Sequence, residues 1–154
     1  MQWTKPLTFW VPGEPIPKGS WNTIHNPRTG KTTVIPNNKR EHPWATAVTD
    51  AIIWQYRHQH PGQPMPHDTR PCYVQGIFHL PRGKSVRRAL PSVKPDIDKL
   101  TRSLFDSLTR SGLIEDDARI VDQHLAKCYA DPVHAGVEFQ IQWLADEPGR
   151  REEP

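Results

Sequence analysis

Leu7, Phe9 and Val11 alternate with Thr8 and Trp10, a period of two that predicts a short strand near the start of the chain. Residues 12–40, PGEPIPKGSWNTIHNPRTGKTTVIPNNKR, are punctuated by Pro, Gly and Asn. They read as a long loop with a hairpin turning at Thr29-Gly30. Trp44, Val48, Ala51, Ile52 and Gln55 then recur at helical spacing behind Pro43, which suits a first helical turn. A helix is therefore predicted near 43–58. The Pro-rich connector RHQHPGQPMPHD leads to a strand at 72–80 with Cys72, Val74, Phe78 and Leu80 on one face.

A second loop, PRGKSVRRALPSVKP, precedes another helix. Pro95 disfavours helical backbone at Lys94, so this helix begins close to Asp96 and turns Ile97, Leu100, Leu104, Phe105 and Leu108 toward the core. Gly112 suits the position just past its end, and LIEDD opens a strand near 119–129. The last strand is the most regular, with Val137, Phe139, Ile141 and Trp143 alternating with Glu138, Gln140 and Gln142. Together these elements predict a single domain of several strands and two main helices over 1–145. A polar, frayed tail follows at 146–154.

Composition adjusts this picture modestly. A chain of 154 residues buries about two-thirds of its unfolded surface. With 17 prolines and 35% apolar residues, a small core with long ordered loops is expected. The net charge of +3 says less than its distribution. Residues 1–40 carry Lys5, Lys18, Arg28, Lys31, Lys39 and Arg40 against Glu14 alone. Residues 69–95 carry Arg70, Arg82, Lys84, Arg87, Arg88 and Lys94 with no acid. One-signed stretches suit a polyanion, and they equally suit solvated loops. Cys72 and Cys128 match no CxxC pattern and are expected as free thiols. His58, His60 and His67 have no metal-ligand spacing and read as a solvated connector. No secretory leader and no membrane-length apolar run is read, so a cytoplasmic protein is expected.

The candidate chemistry lies in VKPDIDKLTRSLFDSLTRSGLIEDDARIVD, where Asp96, Asp98, Asp106, Glu115, Asp116 and Asp117 crowd one amphipathic helix. One reading is structural. Aspartate at a helix start caps free N–H groups, and Asp98, Arg102, Asp106 and Arg110 step by four as a ladder of ion pairs. The other reading is a divalent-metal socket. Two carboxylates ~5 Å apart repel by ~3 kcal/mol at an effective dielectric of about 20, so a true cluster needs a cation. Carboxylates select Mg²⁺ or Mn²⁺ over zinc. Spacing alone leaves both readings open.

The same segment resembles the signature of the RusA family of Holliday junction resolvases, common in phages and prophages. A DxD opens a helix, a basic residue follows four after the second Asp, an "FD-L" lies on the core side, and a "DD-x-x-[IV]-V" turn enters a strand. GEPIPKGS resembles the family's Gly-Pro-Lys loop more loosely. The resemblance implies a compact single α+β domain, a small mixed sheet flanked by two main helices, in a homodimer that cuts four-way DNA junctions with Mg²⁺, Mn²⁺ substituting. It makes Asp96, Asp98 and Asp117 the metal carboxylates and gives Arg102 a catalytic place, with Asp116 and Lys99 as accessory groups. Lys99 and Arg102 depart from the family's usual asparagine and lysine. Arginine keeps the charge but is a poor proton carrier. Lys18, Lys39, Arg40, Arg82, Lys84, Arg87 and Arg88 are expected to bind DNA phosphates, and Trp21 to stack on an unpaired base or anchor its loop. A branched- or flap-DNA nuclease without strict junction preference, and a junction-binding protein that has lost catalysis, fit the same residues. An RNA-binding protein would need an aromatic platform that the chain lacks.

Overall fold

A computed structural model describes residues 1–19, 21–36 and 39–145. The predicted tail at 146–154 lies outside the described residues, as does the side chain of Trp21. The elements run β1 (Leu7–Pro12), β2 (Trp21–His25), β3 (Thr32–Pro36), α1 (Glu41–Gln59), β4 (Cys72–Pro81), α2 (Ile97–Arg110), β5 (Ile120–Ala130) and β6 (Gly136–Trp143). Single 3₁₀ turns occupy Asp117–Arg119 and Pro132–His134.

β1, β6, β4 and β5 form one sheet in that order, antiparallel except for the β4–β5 pair. A parallel pair needs a long crossover. Here it consists of the second basic loop, α2 and the acidic turn, so the whole candidate segment is the connection between two neighbouring strands. Period-two patterning buries Phe9, Val11, Val74, Phe78, Val137, Phe139 and Ile141 on the helix-covered face, with Phe9 and Phe139 stacked at 5.1 Å. Gly76 lies where β4 crosses Phe139, and a Cβ there would be 2.4 Å from the Glu138 carbonyl oxygen.

Trp44, Val48, Ile52 and Tyr56 of α1 and Leu100, Leu104 and Leu108 of α2 complete the core. Gln55, expected on the apolar stripe of α1, instead bridges to the edge strand. Its Nε2 donates to the Trp10 carbonyl (2.6 Å) and its Oε1 accepts from the Trp10 N–H (3.1 Å). An amide side chain thus stands in for a missing strand partner. The histidine connector is solvated as expected, with His58 and His67 exposed and His60 half-buried, and His58 and His60 stack on Trp54 and Tyr56 of α1, the latter pair at 4.3 Å. The hairpin is present, with its turn at 26–30 and Gly30 at φ 66, where glycine is favoured. It pairs with no strand of the main sheet. Both cysteines are free.

One expectation is corrected. Ile97 is 38% exposed rather than part of the core. The chain reaches Asp96 in an extended conformation, and the buried stripe starts one turn later at Leu100. The first turn of α2 therefore projects beyond the packed interior, carrying Asp96 and Asp98 with it.

Candidate active site

The six acids around α2 are used in different ways. Asp106 pairs with Lys18, and Glu115 accepts from the Arg119 guanidinium (Nε at 2.9 Å). Asp116 caps the 3₁₀ turn, its Oδ1 accepting from the Ala118 N–H at 2.8 Å. Asp96 has a loose contact with Lys99 at 3.8 Å. Among the described residues Asp98 and Asp117 have no ion pair or hydrogen bond from their side chains, and the Asp98–Arg102–Asp106–Arg110 ladder does not form. The helix is therefore not laced by its own charges. A long-range contact takes up Asp106 and local ones take up Glu115 and Asp116, leaving the others open.

The loop that carries Lys18 lies along α2. The Lys18 N–H donates to the Lys99 carbonyl (3.1 Å), and Ile16 is buried in the core. The result is a groove whose lining includes Glu14, Lys18, Arg40, Lys94, Asp96 and Lys99. Arg40 also pairs with Glu14 at 3.0 Å. Two of the expected DNA contacts, Lys18 and Arg40, thus meet Asp96 and Lys99 in one place, although Arg40 and Lys18 each already have a carboxylate partner. Lys39, Lys84 and Arg87 are exposed outside this groove.

Arg82 and Arg88 are placed differently. Arg82 Nη2 donates to the carbonyls of Val86 (3.2 Å) and Arg88 (2.9 Å), and Arg88 Nε donates to the Tyr129 hydroxyl (2.8 Å). Both guanidiniums stack over the Tyr129 ring. These two arginines hold the loop that contains them.

Asp117 lies in a second groove with Phe105, Ile120, Asp122 and Gln123. Asp98, Arg102 and Phe105 share one face of α2 at i, i+4 and i+7. Phe105 is seven residues past Asp98, about 10 Å along the helix axis. Asp117 thus shares its groove with Phe105, and Asp96 lines a different one. Among the described residues no three His, Cys, Asp or Glu side chains are gathered closely enough to hold a metal ion. The donors suit a hard divalent cation in chemistry, being exposed oxygen ligands with few commitments, but the described residues of the chain do not gather the trio.

Two further residues escaped the sequence reading. Asp122 shares the Asp117 groove. Lys127 of β5 donates from Nζ to the carbonyls of Val93 (2.8 Å) and Pro95 (2.9 Å), directly before the DxD pair. No local pattern marks a lysine whose partners are backbone oxygens some thirty residues away. Elsewhere, Cys128 Sγ lies 3.3 Å from His79 Nδ1, and His79 Nε2 lies 3.0 Å from Glu138. This is not an activated thiol, because burial and then the Glu138 charge push the Cys128 pKa up and keep the sulfur protonated.

The family profile described as Endodeoxyribonuclease RusA matches residues 12–142, from the end of β1 to the end of β6. The chain belongs to the RusA endodeoxyribonuclease family. The match spans the basic groove, the DxD pair, the acidic turn and the whole β4–α2–β5 crossover. RusA enzymes are endodeoxyribonucleases that act on Holliday junctions, which makes branched DNA the substrate class for this fold. No curated protein matches the chain. Among the described residues no helix is long and apolar enough to cross a membrane.

Proposed function

We propose that this RusA-family protein resolves four-way DNA junctions by metal-dependent hydrolysis, with Asp96 and Asp98 of one subunit and Asp117 of a second subunit holding Mg²⁺ or Mn²⁺. The observation that carries the reading is the sorting of the acids. Asp98 and Asp117 are uncommitted and Asp96 nearly so, while neighbouring acids are spent on ion pairs and caps. Asp117 opens on the groove beside Phe105 and Asp96 on another, so a two-fold dimer is the simplest way to complete the trio. It would also present two sites to a substrate that itself has two-fold symmetry.

A bound divalent ion supplies Lewis-acid polarisation of the phosphate and a water of lowered pKa. The protein's own groups do the rest. Arg102, one turn past Asp98, neutralises charge growing on the non-bridging oxygens, and as an arginine it does not shuttle a proton. Lys94 and Lys99 beside Asp96 hold the phosphate backbone. The expected products are a 5′-phosphate and a 3′-hydroxyl, from paired symmetric nicks.

The test uses a labelled four-way junction with Mg²⁺. Asp98→Asn and Asp117→Asn should each lower cleavage by more than about a hundredfold, the upper end for loss of a mere outer-shell partner. Both should still bind junctions. Co-expressing the two variants should restore nicking, because one site of the mixed dimer regains both aspartates. Absence of restoration would place the trio within one subunit, and intact DNA across metals and core sequences would overturn the resolvase reading. A flap cut as readily as a junction would favour the broader nuclease.

A further inference from the structure

The core-facing positions of β5 are set by its ladder with β4, in which Lys127 stands opposite Phe78 and Tyr129 opposite Leu80. Phe78 and Leu80 are buried, and partners in register share a face, so Lys127 starts from the helix-covered side of the sheet. A lysine there is costly unless its donors are satisfied. Lys127 Nζ meets the carbonyl oxygens of Val93 and Pro95 at 2.8 and 2.9 Å, bracketing Lys94 just before Asp96. No side-chain cap fixes the start of α2, since the Asp96 side chain accepts no capping hydrogen bond. Ile97 does not anchor it either, being 38% exposed. The approach to the DxD pair, residues 93–95, is thus held from the strand side by Lys127, while the Lys18 N–H holds the Lys99 carbonyl just beyond it.

We propose that Lys127 is the positioning residue of the DxD pair: its ammonium grips the backbone on both sides of Lys94 and fixes where Asp96 and Asp98 emerge from the sheet. The inference rests on the metal reading above. Lys127 spends its donors on carbonyl oxygens, so its role is to orient the ligands rather than to contact DNA or the reacting phosphate. The lysine that matters for the pair is therefore remote in sequence. Of the nearer lysines, Lys94 and Lys99 line the DNA groove instead.

The experiment compares the parent with Lys127→Met, which keeps the aliphatic stem but removes the donors, and Lys127→Arg, which retains them. Amide hydrogen exchange over 93–98, in the full-length protein without metal, reads the grip itself. Faster exchange confined to this segment in Lys127→Met, with near-parental exchange in Lys127→Arg, is expected. Equal exchange in all three proteins would overturn the proposal whatever the nuclease assay does. Mn²⁺ binding followed by electron paramagnetic resonance should weaken about tenfold in Lys127→Met, with recovery in Lys127→Arg and junction binding in Ca²⁺ nearly unchanged. If Mn²⁺ affinity falls only in step with global unfolding and arginine does not rescue it, Lys127 is a fold residue and the proposal fails. A parent that binds Mn²⁺ but cuts no junction would count against the resolvase reading alone.

Discussion

The two acid-poor stretches, 1–40 and 69–95, look alike as strings of Lys and Arg and are put to different uses. The first sends Lys18 and Arg40 to the groove around Asp96 and sets Arg28 and Lys31 near the tip of a hairpin that pairs with nothing in the main sheet. The second folds on itself. Arg82 binds the loop's own carbonyls, Arg88 binds Tyr129, and Lys127 reaches in from β5 to hold its end. Only Lys84, Arg87 and Lys94 of that stretch are left for a partner among its loop cations. A run of positive charge is therefore not a count of phosphate contacts. A guanidinium with five donors can organise a loop of backbone carbonyls as readily as it can bind a polyanion.

Substitutions test this contrast. The largest stability effect should come from Arg82→Ala, which loses several hydrogen bonds and the Tyr129 stack and should cost about 1–2 kcal/mol in urea unfolding. Lys84→Ala, on the same loop, should stay within about 0.5 kcal/mol. Equal losses would erase the distinction between scaffold and contact residues. Next, the double change Lys84→Ala with Arg87→Ala should weaken junction binding and reduce the slope of log affinity against log salt by about 1 per residue. Arg88→Ala should leave that slope nearly unchanged. The smallest effect is expected at the hairpin. Arg28→Ala with Lys31→Ala should shift the slope by at most about 1 per residue and leave the urea midpoint where it was. A large loss of stability there would show that the arm is packed rather than projecting.

The order of elements was legible because each announces itself locally. Alternation marks β1, β4 and β6, the spacing of Trp44, Val48 and Ile52 marks α1, and Pro95 and Gly112 bracket α2. Errors arose where a residue fits its local period but the core ends before reaching it, as at Ile97, or where its partner is distant, as at Gln55. The family was legible through the DxD, the acidic turn and their joint spacing. The fate of each acid was not. Asp106 lay on a helical ladder by spacing and is neutralised instead by Lys18, 88 residues away.

The chain by itself therefore determined the α+β architecture, the faces that enter the core, and the acidic motif that ties it to an endodeoxyribonuclease family. Those depend on periods of two and 3.6 residues and on spacing along a continuous segment. Tertiary structure alone decided which acids remain open, which arginines hold a loop, that Lys127 reaches the entry to the DxD pair, and that Asp96 and Asp117 line different grooves. Charges and donors act through space over a few ångströms, and only the folded chain brings residues from remote positions within that range.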